Sequence, residues 1–321
     1  MPSSRLLFTL VACLIAAAGC GRPAGPRGGG AGGEGSVIGV SLLTLDNPFF
    51  KVIGTSITAA GATHGYTTQV VTPEKDLTRQ HAQIKEFIVK KVAAIVLSPC
   101  DAKGIVPAIA EANAAGIPVF TVDIPCLEPG VEIVSQVCTD NEGGGRMAAE
   151  AMIEGLDGRG GKVAILHAKK FESCRLRVKG FREVLDRHNA SSEAKIFVVD
   201  EYDSNGAKDI GYKAASDALQ ATPDLVGIFA INDPAALGAY TAIEEAGKVG
   251  QVVLVGFDGQ PEGKQAIKEG KIYADPIQFP DQMGVRVVQA IVDHYGGRRP
   301  AAEQLIPTAL YRKADAERDL P

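Results

Sequence analysis

A chain of 321 residues with 45% hydrophobic and 22% charged residues has the make-up of a globular protein. Its length exceeds what one hydrophobic core usually organises, so two domains are expected. The net charge of −5 leaves no basic footprint and argues against nucleic acid as a partner, while the absence of tryptophan gives weight to any aromatic placed at a strand end.

Arg5 precedes an apolar run over residues 6–19, which has the length of an export signal and is short for a bilayer span. The run ends in Ala16-Ala17-Ala18-Gly19-Cys20. This looks like a bacterial lipobox with Cys20 as the lipidated first residue, although leucine is usual where Ala17 stands; plain signal cleavage is the alternative. Residues 21–36, nearly all Gly, Pro, Ala and Arg, bury no apolar surface and read as a tether. The expected location is therefore the periplasm or the cell surface, with the membrane reached only through a lipid anchor. Once Cys20 is lipidated, Cys100, Cys126, Cys138 and Cys174 remain in an oxidising setting. Cys126 and Cys138 flank a short loop between two predicted strands and form the expected disulfide; buried free thiols are the alternative.

From residue 37 onward strands and helices alternate. β-rich runs at 37–42, 66–71, 94–97 and 119–122 are separated by helical spacing over 49–64, 74–90 and 104–115. A strand at 132–137 is expected to cross to a second lobe, and Asp140-Asn141 caps a helix over 142–155. Gly143-Gly144-Gly145 sits where a phosphate loop would, but neither G-x-G-x-x-G nor a P-loop lysine motif is present, so helix packing accounts for it. A second series follows: strands at 162–166, 195–200, 226–231 and 252–255 alternate with helices at 173–188, 205–220 and the segment opened by Asn232-Asp233-Pro234. A helix at 261–268, a strand at 271–275 and a long helix at 280–295 complete it. Repeated β-α units of this kind mean doubly wound parallel sheets, here in two similar lobes with a hinged cleft between them.

In such sheets ligands bind beyond the carboxyl ends of the strands. The residues found there are Asn47, Phe49 and Phe50 after the first strand, Asp123 after the fourth, Arg175 beyond 162–166, and Tyr202 beyond 195–200. Asn232, Asp258 and Gln278 follow the last three. Carboxylates and amides can pair with vicinal hydroxyls, and aromatic faces cover the C–H surface of a sugar ring, so the set suits a neutral polyhydroxylated ligand. It contains no nucleophile–base pair, which argues against an enzyme. His167 and Cys174 lie nearby, but no third ligand has metal-site spacing, so neither a metal nor a cofactor is expected.

Thr44-Leu45-Asp46-Asn47-Pro48-Phe49-Phe50, Thr121-Val122-Asp123, Cys174-Arg175-Leu176-Arg177-Val178-Lys179-Gly180-Phe181, Asn232-Asp233-Pro234-Ala235-Ala236-Leu237-Gly238-Ala239, Gly256-Phe257-Asp258-Gly259 and Gln278-Phe279-Pro280-Asp281-Gln282-Met283-Gly284 occur in this order. Together they resemble the ribose-type sugar-binding proteins of bacterial ABC transporters, over residues 37–313. The resemblance implies the type I periplasmic binding protein fold: two Rossmann-like lobes, 37–138 plus 279–307 and 139–278 plus 308–321, joined by three hinge strands. It implies that Asn47, Asp123, Arg175, Asn232, Asp258 and Gln278 hydrogen-bond a monosaccharide and that Phe49, Phe50 and Tyr202 pack on it. The partner implied is a membrane permease, served by a monomeric binding protein; a sugar-sensing module for a chemoreceptor or kinase is the alternative. Ribose binders carry arginine where Ile124 stands and serine where Leu43 stands, which points to a sugar other than ribose itself.

Overall fold

The computed structural model describes residues 36–321; the export signal, Cys20 and the tether up to residue 35 lie outside the described residues. Two six-stranded sheets each centre a lobe. The first begins with β1 (Val37–Ser41), α1 (Pro48–Thr63), β2 (Thr67–Val71), α2 (Leu77–Lys90) and β3 (Ala94–Leu97). It continues with α3 (Val106–Ala114), β4 (Val119–Val122) and β5 (Ser135–Thr139). β3 and β4 are apolar and buried at every position except the buried Thr121, because helices cover both faces of a parallel sheet.

The chain then enters the second lobe through α4 (Asn141–Leu156), β6 (Gly161–His167), α5 (Glu172–Ser191), β7 (Ile196–Asp203) and α6 (Lys208–Ala221). β8 (Leu225–Ala230), α7 (Asp233–Glu245), β9 (Val253–Val255), α8 (Pro261–Lys268) and β10 (Ala274–Ile277) follow. It returns to the first lobe with α9 (Pro280–Tyr295), which packs on α1, and β11 (Glu303–Ile306), which pairs with β5. It ends in the second lobe with β12 (Ala309–Arg312), antiparallel to β10, and α10 (Lys313–Asp319). The last two strands and the last helix escape sequence patterning, because each is short and β11 is largely exposed.

Strand orders β2-β1-β3-β4-β5-β11 and β7-β6-β8-β9-β10-β12 follow one plan. In each sheet the order reverses beside the lobe's first strand, which is where a crevice opens for a ligand. Three crossings join the lobes, between β5 and α4, β10 and α9, and β11 and β12. They are tied together: the Asp140 amide donates to Ile306 O at 2.9 Å, and Thr139 Oγ1 donates to Gln278 Oε1 at 2.6 Å.

The expected disulfide is not formed. Cys100, Cys126, Cys138 and Cys174 are all buried free thiols, and the Cys126 thiol donates to Ala102 O instead. Cys138 lies within β5, one sheet position from Thr139, so its side chain direction is fixed by the pleat and not by the loop that the spacing pointed to.

Candidate functional site: the interlobe cavity

Helix caps place the first pair of polar groups. Asn47 Oδ1 accepts the Phe49 amide at 2.9 Å and opens α1; Asn232 Oδ1 accepts the Ala235 amide at 3.1 Å and opens α7. A proline follows each cap within the first helical positions, where its missing N–H costs nothing. Both asparagines therefore serve their helices and line the cavity at once.

The carboxylates sit on strained backbone. Asp123 has φ of 66° and Asp258 has φ of 110°, conformations that cost a non-glycine residue of order 1–3 kcal/mol and persist only where surroundings enforce them. The Asp123 amide donates to Val137 O; the Asp258 amide donates to Pro276 O, and Asp258 O accepts the Gln278 amide. These bonds turn both side chains into the cleft.

Arg177 holds the second lobe's half together. It is 4% exposed; its Nε donates to Asn141 Oδ1 at 2.8 Å, and one terminal nitrogen donates to Ile231 O at 2.5 Å and Asp258 Oδ1 at 3.0 Å. The guanidinium also lies 3.8 Å over the Phe257 ring. Gln278 Nε2 donates to Asp258 Oδ1 at 2.6 Å, and Gln260 Nε2 to Oδ2 at 3.1 Å. The approach of α5 to α4 that permits this depends on Gly145: a Cβ there would come within 2.0 Å of Arg177 O. Gly144 likewise abuts the Phe257 ring, so two of the three glycines serve packing, while a Cβ on Gly143 would meet the capping Asp140 side chain.

Charge is tightly confined. Burial pushes Asp123 up to about 7, opposed by the charge of Arg177, and one of its oxygens, Oδ1, is buried without a hydrogen-bond partner. Burial also raises Asp258, while Arg177, Gln260 and Gln278 pull it down. Behind Asp258 lie Asp233 and Asp275, both raised by burial, with Asp275 pushed up to about 6. Burial and their neighbouring negative charges disfavour ionisation of both carboxyls. Phe49 and Phe50, edge to face at 5.3 Å, wall the first-lobe side.

These residues enclose a cavity of about 70 Å³. Asn47, Phe49, Phe50, Asp123, Asn232, Asp258 and Gln278 all line it, as do Leu43 and Ile124. A family model, the periplasmic binding protein domain, matches residues 38–299. The chain belongs to the periplasmic binding proteins. It is 33% identical to the ribose import binding protein of Bacillus subtilis over 263 residues, 82% of each chain. It is 30% identical to the D-apiose import binding protein of Actinobacillus succinogenes over 290 residues, 89% of this chain and 91% of that one. Among solved structures, an ABC transporter solute binding protein from Mycobacterium smegmatis with bound glycerol superposes with TM-score 0.81 at 28% identity, covering 89% of this chain and 97% of that chain.

Two expected site residues of this periplasmic binding protein lie elsewhere. Arg175 turns away from the cavity, donating to Lys169 O at 2.7 Å and pairing with Glu172. Helical phase explains it: Ser173, Cys174 and Arg177 share one face of α5, and Arg175, two residues from Arg177, points about 200° away from it. Tyr202 packs on the second lobe's own core, because β7 runs on to Asp203 and keeps Tyr202 within the sheet. The loop after β7 presents Asn205 and Gly206 instead. Arg177, Asn205 and Lys75 line the cavity without having been among the expected residues. The i, i+3 spacing of Cys174 and Arg177 was a usable signal for the first; the other two sit in loops without periodicity.

Proposed function

We propose that this chain is an exported solute-binding protein that captures a monosaccharide between its lobes and delivers it to an ABC-type permease. The observation that carries the reading is the buried Arg177–Asp258–Gln278 network facing Asp123 Oδ1, a buried acceptor with no partner, beside an edge-to-face phenylalanine pair. A sugar hydroxyl supplies the donor that Asp123 lacks, and leaving such an acceptor unmatched costs about 1–3 kcal/mol, which discriminates against ligands without that hydroxyl. The names of its relatives, import binding proteins for ribose and D-apiose, support the same class. Leu43 and Ile124 place apolar surface on the first-lobe wall, which favours a sugar other than ribose.

Binding proceeds without chemistry. Burial pushes the Cys174 thiol up to about 11 and the His167 imidazole down to about 4, so one is protonated and the other neutral at pH 7. Neither is poised to attack or to exchange a proton with a ligand. The protein acts as a monomer tethered through lipidated Cys20, and Cys20→Ala is expected to move it from the membrane fraction to the soluble fraction.

The test is a thermal-shift screen of pentoses, hexoses, deoxysugars and polyols. Ligand at 100 times its Kd stabilises the native state by about 2.7 kcal/mol, a shift of several degrees. A panel in which no sugar moves the midpoint would remove the monosaccharide from the reading.

A further inference from the structure

At the mouth of the cavity, Lys75 Nζ in the first lobe donates to Asn205 O in the second at 3.1 Å. Away from the three crossings, this is the one hydrogen bond among the described residues that joins the lobes. Both ends are built for it. Glu74 and Lys75 have φ of 53° and 62°, and Asn205 has φ of 47°. Runs of non-glycine residues in this region are uncommon and need external support. Thr44 Oγ1 and Thr72 Oγ1 both donate to the Glu74 carboxylate, and the Lys75 amide donates to Leu43 O. On the other side, Asn232 Nδ2 donates to Gly206 O at 3.1 Å, and the Asn205 amide donates to Asp203 Oδ1.

The same two residues line the cavity. Lys75 is the single cation that the first lobe contributes to its lining. An ammonium has three donors, of which the Asn205 carbonyl uses one. Asn205 Oδ1 is buried without a partner, a second orphaned acceptor in addition to Asp123 Oδ1. The mouth thus offers a donor from one lobe and an acceptor from the other.

We propose that Lys75 and Asn205 form an interlobe clasp that closes the cavity mouth and reads the ligand's outer edge. Lys75 holds the Asn205 carbonyl only when the lobes are shut, so the contact belongs to the closed state and shifts the hinge equilibrium toward it. A ligand is retained best when it accepts from Lys75 and donates a hydroxyl to Asn205 Oδ1. The clasp also links the site to the hinge motion, because Asn232, a cavity residue, anchors the loop that carries Asn205. This inference rests on the sugar-binding reading for the ligand's identity, but closure itself is measurable without any sugar.

The experiment uses spin labels placed on the outer faces of the two lobes, in the wild type, Lys75→Met and Lys75→Arg. Methionine keeps the length of the side chain and removes its charge and donors. The ligand-free Lys75→Met protein is expected to lose its closed population about tenfold relative to the wild type, while Lys75→Arg largely restores it. With a sugar from the thermal-shift panel, Lys75→Met is expected to raise Kd about tenfold through faster dissociation. Equal closed populations in wild type and Lys75→Met would overturn the clasp, whatever the sugar does. A wild type that closes through Lys75 but responds to no sugar would leave the clasp standing and refute the monosaccharide reading.

Discussion

Replacing Arg177 by methionine tests the electrostatic centre of the site. The guanidinium makes hydrogen bonds to Asn141, Ile231 O and Asp258, and lies over Phe257. Methionine fills much of the volume but leaves Asp258, 5% exposed, without its counter-cation and removes the charge that holds Asp123 down. Breaking one partner out of a buried pair costs about 3–5 kcal/mol, because the other charge stays buried. That is about a fifth or more of the stability of an ordinary domain, or roughly 10 °C in Tm. The penalty has a pH signature. At pH 8, above its value of about 7, Asp123 is ionised and draws on the cation; at pH 5 it is protonated in the folded state and needs it less. Urea unfolding of wild type and Arg177→Met at both pH values reads the difference, and Arg177→Met with Asp258→Asn should recover part of the loss. A destabilisation below about 1 kcal/mol at pH 8, or one that grows as pH falls, would refute the reasoning.

Asp123 carries a folded-state value near 7 against an ordinary 3.8. An acid raised by folding binds protons more tightly in the native state, so its contribution to stability is greatest at low pH and is lost as pH rises through about 7. Asp123→Asn should flatten the fall in urea midpoint between pH 5 and 8; an unchanged slope would mean that Asp123 ionises freely in the folded protein. Asn232→Ala removes a helix cap, costing about 1 kcal/mol in thermal or urea unfolding, and frees the Gly206 loop. Ligand affinity should therefore fall by more than the stability loss alone requires, and titration calorimetry showing no loss of affinity would remove Asn232 from the site. The four described cysteines are buried and unpaired. They should resist a thiol reagent in the native protein and react after denaturation without reductant, and intact mass should show no two-proton difference for this set on reduction.

The sequence by itself determined the β-α alternation, the two lobes and the positions at the strand ends. Those follow from local rules: apolar runs bounded by glycines, asparagine caps before Pro48 and Pro234, and ligand placement beyond parallel strands. Asp123, Asn232, Asp258 and Gln278 were legible because each sits one to three residues past a strand, and Asn47 because it caps the helix that opens at Pro48. Tertiary structure decided what those rules leave open. Which arginine of α5 enters the cavity depends on helix phase against α4, set where Gly145 lets the backbones touch. Whether Tyr202 or Asn205 faces the ligand depends on where β7 ends, and pairing with β6 carries that strand to Asp203. The free state of Cys126 and Cys138 depends on side-chain direction within the packed sheet, which loop length does not encode. The clasp between Lys75 and Asn205, 130 residues apart, exists only when two separately folded lobes meet, so no local pattern could announce it.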